Sequence, residues 1–344
     1  MIRLVILLVM LQVTALLQAQ DTLLHVQQQT LMFWNLENAF WPSNDSTRQD
    51  DEFTPDGIRH WNLSRLRQKL TQAERTLLAA GHGLPPMAVG LAEIEGDSVM
   101  HYWTHSTPLR QLGYRYLVTD QSDTRGIQTA LLYQPSDFKL IAHESFSIIM
   151  PDGRRSTRQL LHASGRLVNA DTLDLIVCHL PSQYGGTRQS DPARQAAQHT
   201  LMHVADSIAF SRLHPRIVIM GDMNDAPSAR RPWWDGAHTG QWHNLMLPLQ
   251  QELRRHPASY GSHKYQGVWS FLDQFIVNTQ LLPDTLGEEK PVRASQACSF
   301  SMPFMLTSDD SHLGQRPRRS YYGATYEGGT SDHLPIVLNL DIMF

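Results

Sequence analysis

The chain has 344 residues, of which 41% are hydrophobic, so it is long enough for one large domain or two small ones. A formal net charge of −4 at pH 7 gives no global attraction to polyanions, which leaves only a local basic patch for contact with nucleic acid. The two cysteines, Cys178 and Cys298, exclude a fold that depends on a network of disulfide bonds. They allow one optional bridge, and a buried free thiol at Cys178 is an equal alternative.

Residues 1–19 have the pattern of an export signal peptide. A basic start is followed by a largely apolar run over 4–17, and Ala19 is a small residue at a suitable cleavage point. Cleavage after Gln20 is an alternative, as are an uncleaved anchor and a buried first strand. The apolar run is short for a membrane-spanning helix, and no later stretch is apolar enough to span a bilayer. We therefore predict an exported protein, periplasmic or extracellular, whose single domain covers residues 20–344.

Short apolar runs alternate with polar helical stretches along the rest of the chain. Strands are predicted at residues 31–34, 87–91, 128–133, 138–149, 160–167, 173–178, 217–220, 271–277 and 335–340. Apolar residues at helical spacing predict helices over 63–80 and 192–209. Successive strands with few helices between them indicate two packed β-sheets flanked by helices, not one doubly wound sheet. Segments 230–260 and 282–326 have no clear period, so we expect long loops that shape a binding face.

Polar residues stand at or near the ends of several of these apolar runs. They are Asn35, Glu93, His179, Asp222, Asn224, Asp273, Asp332 and His333. If the strands align, these side chains converge at one rim. Carboxylates and amides suit a hard cation such as Mg²⁺, whereas structural zinc needs Cys or His at short spacing. Because an Asp can take a proton from water and a His can stabilise phosphate oxygens, the set predicts metal-assisted attack on a phosphate ester.

Each of these motifs alone also has an ordinary structural explanation. Asp and Asn are common in turns after strands, which would account for residues 221–225 and 331–333. Asp273, between apolar neighbours, would be a structural acid that needs a buried partner, and we predict that His333 is this partner. The dense basic segment 316–319 would be a solvated loop or a phosphate contact. The functional interpretation therefore rests on the whole set.

Taken in order, the motifs resemble those of one known superfamily. They are Asn-Leu-Glu-Asn at 35–38, Gly-Leu-Ala-Glu at 90–93, His-Leu-Pro-Ser at 179–182, Gly-Asp-Met-Asn-Asp at 221–225, Trp-Ser-Phe-Leu-Asp at 269–273 and Ser-Asp-His-Leu-Pro at 331–335. This set, within Leu31 to Leu340, resembles the endonuclease/exonuclease/phosphatase superfamily, whose fold is like that of deoxyribonuclease I. The resemblance implies a four-layer α/β sandwich and divalent-metal-dependent hydrolysis of phosphoesters.

The resemblance implies that three residues lie at a metal ion. Glu93 would be the principal metal carboxylate, and Asn35 and Asp332 would lie near the same ion. Mg²⁺ is the expected cofactor, and Mn²⁺ or Ca²⁺ are alternatives. Glu95 is a weaker candidate than Glu93, because Glu93 comes directly after the apolar run. Glu37 and Glu95 are expected to support the structure.

Five further residues would act on the substrate if the resemblance holds. Asp222 would activate or hold the attacking water, and Asn224 would orient it. His333, positioned by Asp273, would contact the scissile phosphate. His179 resembles the second active-site His of the deoxyribonuclease branch, where it helps to protonate or stabilise the leaving oxygen.

The chain departs from the superfamily pattern at three places. Ala92 stands where many members have Gln, so one hydrogen bond beside the metal carboxylate is missing. Gln183 stands where an Arg commonly follows the His-Xaa-Pro-Ser motif. Candidates to replace that cation are Arg158, Arg188 and Arg194. Residues 126–129 contain no acid to orient His179, so we expect this His to be less activated.

Three functional hypotheses follow. The first is an exported, metal-dependent phosphodiesterase, most simply an endonuclease acting on nucleic acid. The second is the same chemistry on another ester, such as a sphingolipid headgroup or an inositol phosphate. The third is a catalytically silent binding module, which the intact set of acids, amides and imidazoles argues against. A substrate screen with and without a chelator separates them.

Overall fold

The computed structural model describes residues 25–120, 123–150, 153, 155–182, 187–228, 241–256, 259–283 and 290–344, without the side chains of 155–157 and 187–191. The predicted signal peptide, residues 1–19, lies outside these ranges, so export stays a prediction. Within the described ranges no helix is long and apolar enough to cross a membrane.

Eighteen strands and four α-helices are assigned to the described residues. The strands are β1 Val26–Ala39, β2 Ala88–Ile94, β3 Arg115–Val118, β4 Gln128–Tyr133, β5 Lys139–Ile149, β6 Arg155–Arg166, β7 Thr172–His179, β8 Ile217–Asp222, β9 Trp242–Asn244, β10 His263–Tyr265, β11 Val268–Ser270, β12 Asp273–Asn278, β13 Val292–Ser299, β14 Leu306–Ser308, β15 Gln315–Pro317, β16 Tyr321–Tyr322, β17 Thr325–Tyr326 and β18 Ile336–Met343. The α-helices are α1 Leu63–Ala80, α2 Gly96–Ser106, α3 Thr187–Ser211 and α4 Leu247–Arg255. Short 3₁₀-helices cover Asp51–Phe53, Pro108–Leu112, Thr279–Leu281 and Pro303–Met305.

Two six-stranded sheets form the centre of the molecule. The first has the order β13-β18-β1-β2-β4-β3, and the second has the order β5-β6-β7-β8-β12-β9. Helix α3 contacts β5 and β8 of the second sheet, and α2 contacts β3 of the first. The predicted sandwich of two packed sheets flanked by helices is confirmed.

Strand β8 shows why these apolar runs form inner strands. Val218 and Met220 belong to the large core between the sheets, while Ile217 and Ile219 belong to the core under α3. Both faces of the strand are therefore buried, as expected for a continuous apolar run inside a layered α/β fold. Gly90 of β2 brings the two sheets close, since a Cβ there would stand only 3.0 Å from Sδ of Met220.

Helix α1 agrees with its prediction at both ends. The side chain of Asn62 accepts a hydrogen bond from the backbone N–H of Arg65, which caps the first turn. Gly81 follows the last residue, as predicted. The second predicted helix, 192–209, is longer in the structure and runs from Thr187 to Ser211 with Pro192 inside it.

The prediction of long loops over 230–260 and 282–326 was wrong where the structure has regular elements, which are helix α4 and strands β9, β13, β14, β15, β16 and β17. Helix α4 forms after Met246, with a Pro in its first turn, and it buries Gln250 and Leu253. Strand β13 pairs with β18 at the edge of the first sheet. Its sequence, Val-Arg-Ala-Ser-Gln-Ala-Cys-Ser, is polar and small because only one edge and few side chains are buried.

The two cysteines are unpaired. Cys178 is buried and its Sγ lies 3.7 Å from Sδ of Met223, while Cys298 is half-buried on β13. The alternative of a buried free thiol at Cys178 is therefore the one observed.

Candidate active site

Three neighbouring strand ends of the second sheet form one row of polar side chains. His179 of β7 is in register with Asp222 of β8, and Asp222 is in register with Asp273 of β12. Residues in register on adjacent strands point to the same face. All three side chains are buried, so the row forms a polar floor at the rim of the sandwich.

His333 packs against this row from the turn before β18. Its Nδ1 lies 2.7 Å from Oδ2 of Asp273, and its Nε2 lies 3.9 Å from Oδ2 of Asp222. Burial acts to lower the pKa of His333, but the Asp273 carboxylate outweighs it and raises that pKa well above the usual value. The predicted partnership of Asp273 and His333 is present, and it favours the cationic form of the imidazole beside Asp222.

The first sheet fixes the turn that carries His333. The indole Nε1 of Trp34 donates to the carbonyl oxygen of His333 at 2.8 Å. The hydroxyl of Ser331 donates to the carbonyl oxygen of Asn35 at 2.6 Å and accepts from the His333 N–H at 3.0 Å. These bonds leave the imidazole little freedom to move away from the pocket.

Asn35 enters the site from β1, at the residue where its pairing with β2 becomes irregular, and Glu93 enters from the end of β2. The Asn35 amide donates to Oδ2 of Asp222 at 3.1 Å, and its oxygen accepts from the N–H of Glu37 at 2.9 Å. Glu93 has a left-handed backbone with φ of 60°, and its Oε2 accepts from the N–H of Asn38 at 2.9 Å. A positive φ is uncommon for Glu, and such local strain is typical of functional sites.

Asp222 lies beside a second buried carboxylate, that of Asp273. Burial, followed by the neighbouring Asp273, raises the pKa of Asp222 to about 6, although His333 acts in the opposite direction. Its Oδ1 accepts from the N–H of Asn224 at 2.8 Å. Asn224, with φ of 50°, donates its amide to the carbonyl oxygen of Leu180 at 2.9 Å. The strained turn therefore presents both side chains to one pocket.

His179 differs from His333 because it faces cations. Burial, followed by Arg158 and Arg125, lowers the pKa of His179 well below the usual value. A guanidinium only donates, so the 3.2 Å contact from Arg158 makes Nε2 of His179 an acceptor. This nitrogen also lies 3.7 Å from Asp222 and 3.9 Å from Glu93. Arg158 is thus one of the positive groups on this side of the site.

Asp123 positions a pair of arginines beside His179. Its Oδ1 accepts from the N–H groups of Arg125 and Ile127, at 2.9 and 3.1 Å. Its Oδ2 lies 3.5 Å from Nε of both Arg125 and Arg158. Arg125 also approaches Oε1 of Glu93 to 3.9 Å. One carboxylate therefore holds two guanidinium groups at the edge of the pocket.

Asp332 lies at the end of a buried chain of charges. Its Oδ2 accepts from Arg319 at 2.9 Å, and Arg319 also pairs with Glu37 at 2.7 Å. Burial, followed by Asp332, raises the pKa of Glu37 to about 7. Lys69 of α1 is fully buried, and its Nζ donates to Oγ of Ser320 at 2.6 Å. Burial lowers the pKa of Lys69 to about 8.

The predicted site residues meet in one pocket of about 520 Å³. Its lining includes Asn35, Glu93, His179, Asp222, Asn224, Asp332 and His333. Asp273 lies behind them, in contact with His333. Glu95 lines a different pocket and pairs with Arg48. Glu37 lines the same pocket as the predicted site residues and pairs with Arg319.

The donor set of this pocket fits a divalent cation. Asn35, Glu93 and Asp332 offer oxygen ligands, which hard cations prefer. Asp222 and Asp273 lie side by side on adjacent strands, and Oδ1 of Asp273 is buried with no hydrogen-bond partner among the described residues. Such a concentration of buried carboxylates is costly without compensating positive charge. The identity of the ion stays a prediction.

A family comparison agrees with this geometry. The model of the Endonuclease/Exonuclease/phosphatase family matches residues 30–342 of the chain. The chain belongs to this family. No curated protein matches the sequence.

Solved structures of several proteins share the fold. The catalytic domain of human nocturnin, with bound sulfate, is 16% identical with a TM-score of 0.56, and covers 93% of this chain and 97% of its own. Humanized TDP2 of D. rerio is 15% identical with a TM-score of 0.55, covering 91% and 98%. A mannosyl-6-phosphatase of Bacteroides thetaiotaomicron is 14% identical with a TM-score of 0.54, covering 91% and 99%. At these identities the likeness concerns the fold alone.

Sequence reasoning missed several residues that border the pocket. Arg158 was one of three candidate cations, and the structure places it at the site, whereas Arg194 contacts Asp225 and the side chain of Arg188 is not described. Arg125, Asp123, Arg319, Lys69 and His263 carried no motif signal. Segment 316–319 was expected to be a solvated loop or a phosphate contact. In the structure its first two residues belong to β15, and Arg319 pairs with Asp332.

Proposed function

We propose that the chain is a divalent-metal-dependent phosphoester hydrolase, and in the first place a phosphodiesterase of the endonuclease type. One observation carries this proposal. The Asp273–His333 pair places an imidazole 3.9 Å from Asp222, in the same pocket as Glu93 and Asn35, and Asp273 raises the pKa of that imidazole. A carboxylate and a cationic imidazole at this spacing suit activation of water and stabilisation of a phosphate.

The residues of the chain have distinct tasks in this proposal. Asp222 holds the attacking water and takes its proton, and the Asn224 turn fixes the orientation of Asp222 through the 2.8 Å bond to Oδ1. His333 donates from Nε2 to an oxygen of the scissile phosphate, while Asp273 keeps the imidazole charged and oriented. Both groups are in place before substrate binds, so little reorganisation is needed in the transition state.

Positive charge approaches the phosphate from two further directions. A divalent cation held by Glu93, Asn35 and Asp332 would offset negative charge on the phosphoryl oxygens. Arg158 provides charge on the side of His179, where the leaving oxygen would lie. His179, with a lowered pKa, assists as a neutral imidazole.

A small phosphomonoester is the second candidate substrate. Two guanidinium groups held by Asp123 would match the extra charge of a terminal phosphate, because Arg binds phosphate oxygens in a bidentate manner. A pocket of about 520 Å³ has the size of sites for small ligands. A mannosyl-6-phosphatase is among the structures with this fold. Sphingolipid headgroups and inositol phosphates belong to the same test.

The test is a substrate screen of the purified mature chain. Plasmid DNA, RNA, sphingomyelin, inositol phosphates and mannose 6-phosphate are incubated with Mg²⁺, Mn²⁺ or Ca²⁺, and with a chelator. We expect hydrolysis that the chelator abolishes and that Asp222→Asn lacks. Nicking of plasmid DNA supports the first candidate, and release of inorganic phosphate from a small ester supports the second. Hydrolysis of none of these substrates with metal present contradicts the proposal.

We also propose that the protein is exported to the periplasm or beyond the cell. The basic start and the apolar run over residues 4–17 support this proposal. N-terminal sequencing of the mature protein tests it. A first residue at position 20 or 21 is expected, and recovery of Met1 in the mature protein would contradict export with cleavage.

A further inference from the structure

His263 occupies an unexplained position in the pocket. It is the first residue of β10 and pairs through its backbone with Ser270 of β11 and with His333. Its ring lies 4.7 Å from that of His333. Its Nδ1 is buried and has no hydrogen-bond partner among the described residues. A buried polar atom without a hydrogen-bond partner destabilises the folded state, so a bound ligand at this nitrogen would remove that cost.

The nitrogen atoms of the two imidazoles face a carboxylate. One ligand atom each of His263, Asp332 and His333 lie within 4.8 Å of one another. In a tetrahedral zinc site, bonds of about 2.0–2.2 Å place neighbouring ligand atoms roughly 3.3–3.6 Å apart. The three side chains therefore need to approach one another only slightly to enclose an ion.

The surroundings of these three residues resemble those of a built metal site. Nδ1 of His333 donates a 2.7 Å hydrogen bond to Oδ2 of Asp273. The other ring nitrogen, Nε2, is then the one that can bind an ion, as in many carboxylate–histidine–metal sites. Arg319 binds Oδ2 of Asp332, and Oδ1 has no hydrogen-bond partner among the described residues. Strand β10 is fixed by a buried 2.8 Å ion pair between Lys264 and Asp309.

We propose that His263, Asp332 and His333 form an inhibitory binding site for a borderline divalent metal such as Zn²⁺. Two imidazoles and one carboxylate suit Zn²⁺ and not Mg²⁺, which prefers oxygen ligands. An ion bound there replaces the proton on Nε2 of His333, which is released to solvent. The imidazole then has no N–H to donate to the substrate phosphate. The ion also withdraws Asp332 from the site of the activating cation. The inhibition rests on the proposed function, whereas the binding does not.

Calorimetric titration of the full chain with Zn²⁺ in excess Mg²⁺ tests the binding. All proteins carry His101→Gln, because His101 and His105 stack on an exposed face of α2 and would bind Zn²⁺ independently. We expect His263→Phe, which keeps a ring beside His333, to weaken binding by at least the roughly 10–100-fold lost with a supporting residue of a metal site. His263→Gln serves as a second variant if His263→Phe does not fold.

Two control variants make the result specific. His203 is exposed on α3, so His203→Phe is expected to bind Zn²⁺ as the parent does. Glu93→Gln is expected to retain Zn²⁺ binding, because Glu93 is not one of the three ligands. Unchanged affinity in both His263 variants would overturn the proposal. So would loss of Zn²⁺ binding in Glu93→Gln alone, since the ion would then occupy the site of the activating cation.

Inhibition is measured with a substrate found in the screen. We expect Zn²⁺ to inhibit the parent, and the His263 variants to need at least about 10-fold more Zn²⁺ for the same fractional loss of their own activity. Equal inhibition of parent and variants would contradict an inhibitory role at this site. If no substrate is hydrolysed, the proposed function fails while the calorimetric test of the Zn²⁺ site still stands.

Discussion

The carboxamide of Asn35 donates a 3.1 Å hydrogen bond to Oδ2 of Asp222 and so joins the two sheets at the floor of the pocket. Asn35 ends an apolar run of β1, and Asp222 is the last residue of β8. The bond favours the ionised form of Asp222, whose pKa is raised to about 6 by burial and then by Asp273. One amide thus connects the geometry of the first sheet to the ionisation of an acid in the second.

Asn35→Ala is expected to lower kcat/KM by about 10–100-fold at saturating Mg²⁺, because a hydrogen bond to a charged group contributes roughly 1.5–3 kcal/mol. The measurement is steady-state kinetics over a range of Mg²⁺ concentrations. If Asn35 also binds the cation, as the sequence predicts, the Mg²⁺ concentration for half-maximal activity rises. Activity equal to that of the parent at all Mg²⁺ concentrations would contradict both roles. Asp222→Asn with Asn35→Ala should be no worse than Asp222→Asn alone, since the two residues act together.

Asp273→Asn is expected to reduce kcat by about 10²–10⁴-fold while the protein still unfolds cooperatively. The reason is that Asp273 keeps the pKa of His333 well above its usual value against the effect of burial. Activity and thermal melting are measured on the same preparation with saturating metal. Asp137→Asn is the matched control, because Asp137 pairs with Gln29 away from the pocket. Parental turnover in Asp273→Asn would remove this residue from the mechanism.

Arg158→Lys is expected to lower kcat/KM by roughly 10–100-fold. The planar guanidinium of Arg158 contacts both the carbonyl oxygen of Leu180 and Asp123 and can still bind a phosphate, whereas a Lys ammonium cannot make all three contacts at once. Arg166→Lys on the same strand is the control, since Arg166 is exposed at its end. Kinetics on a phosphodiester and on a phosphomonoester measure the effect. A larger loss on the monoester would favour the second candidate function. An equal rate for Arg158→Lys and the parent on both would show that Arg158 does not contact substrate.

Asp174→Asn is expected to destabilise the fold by about 2–3 kcal/mol without a direct effect on the pocket. Asp174 is buried on β7 and accepts from Arg212 at 2.8 and 2.9 Å, and its Oδ1 lies 2.8 Å from Nε2 of His162. Burial alone would raise its pKa, but Arg212 and His162 lower it to about 2. Asp171→Asn, which alters the half-exposed pair with Arg216, is expected to cost less than about 1 kcal/mol.

The lowered pKa of Asp174 also determines how its contribution to the free energy of unfolding changes with pH. The carboxylate binds protons more weakly in the folded state, so its contribution is present above the ordinary pKa of 3.8 and is lost as pH falls toward about 2. Urea unfolding of the parent and of Asp174→Asn at pH 7 and at acidic pH measures this. The difference between the two proteins should shrink on acidification. A difference that grows as pH falls would contradict the assignment.

Sequence reasoning located the pocket because its residues follow apolar strands. Asn35, Glu93, His179 and Asp222 all lie where a buried strand reaches the rim, and the alternation of buried strands is visible in the sequence. The order of the motifs allowed us to predict that Asp273 pairs with His333, although the two residues are 60 positions apart. Local pattern and motif order together therefore specified the centre of the site.

Contacts between charged residues that are far apart in the sequence could not be predicted from local pattern or motif order. Arg319 and Glu37 are 282 positions apart, and Lys69 reaches Ser320 across 251 positions. No spacing rule connects residues at such separations, since the contact depends on how α1 and the segment before β18 pack. Edge strand β13 was missed for a related reason: its small and polar side chains acquire their β structure from pairing with β18.

The division of the pocket between two sheets has a consequence for how the protein loses activity. Glu93 and Asn35 stand on one sheet, while Asp222 and Asp273 stand on the other, so neither half of the sandwich contains a working set of groups. Under the proposed function, hydrolytic activity therefore depends on the two sheets staying packed together. In a denaturant titration, activity should be lost at or below the denaturant concentration at which the fluorescence of the buried tryptophans changes.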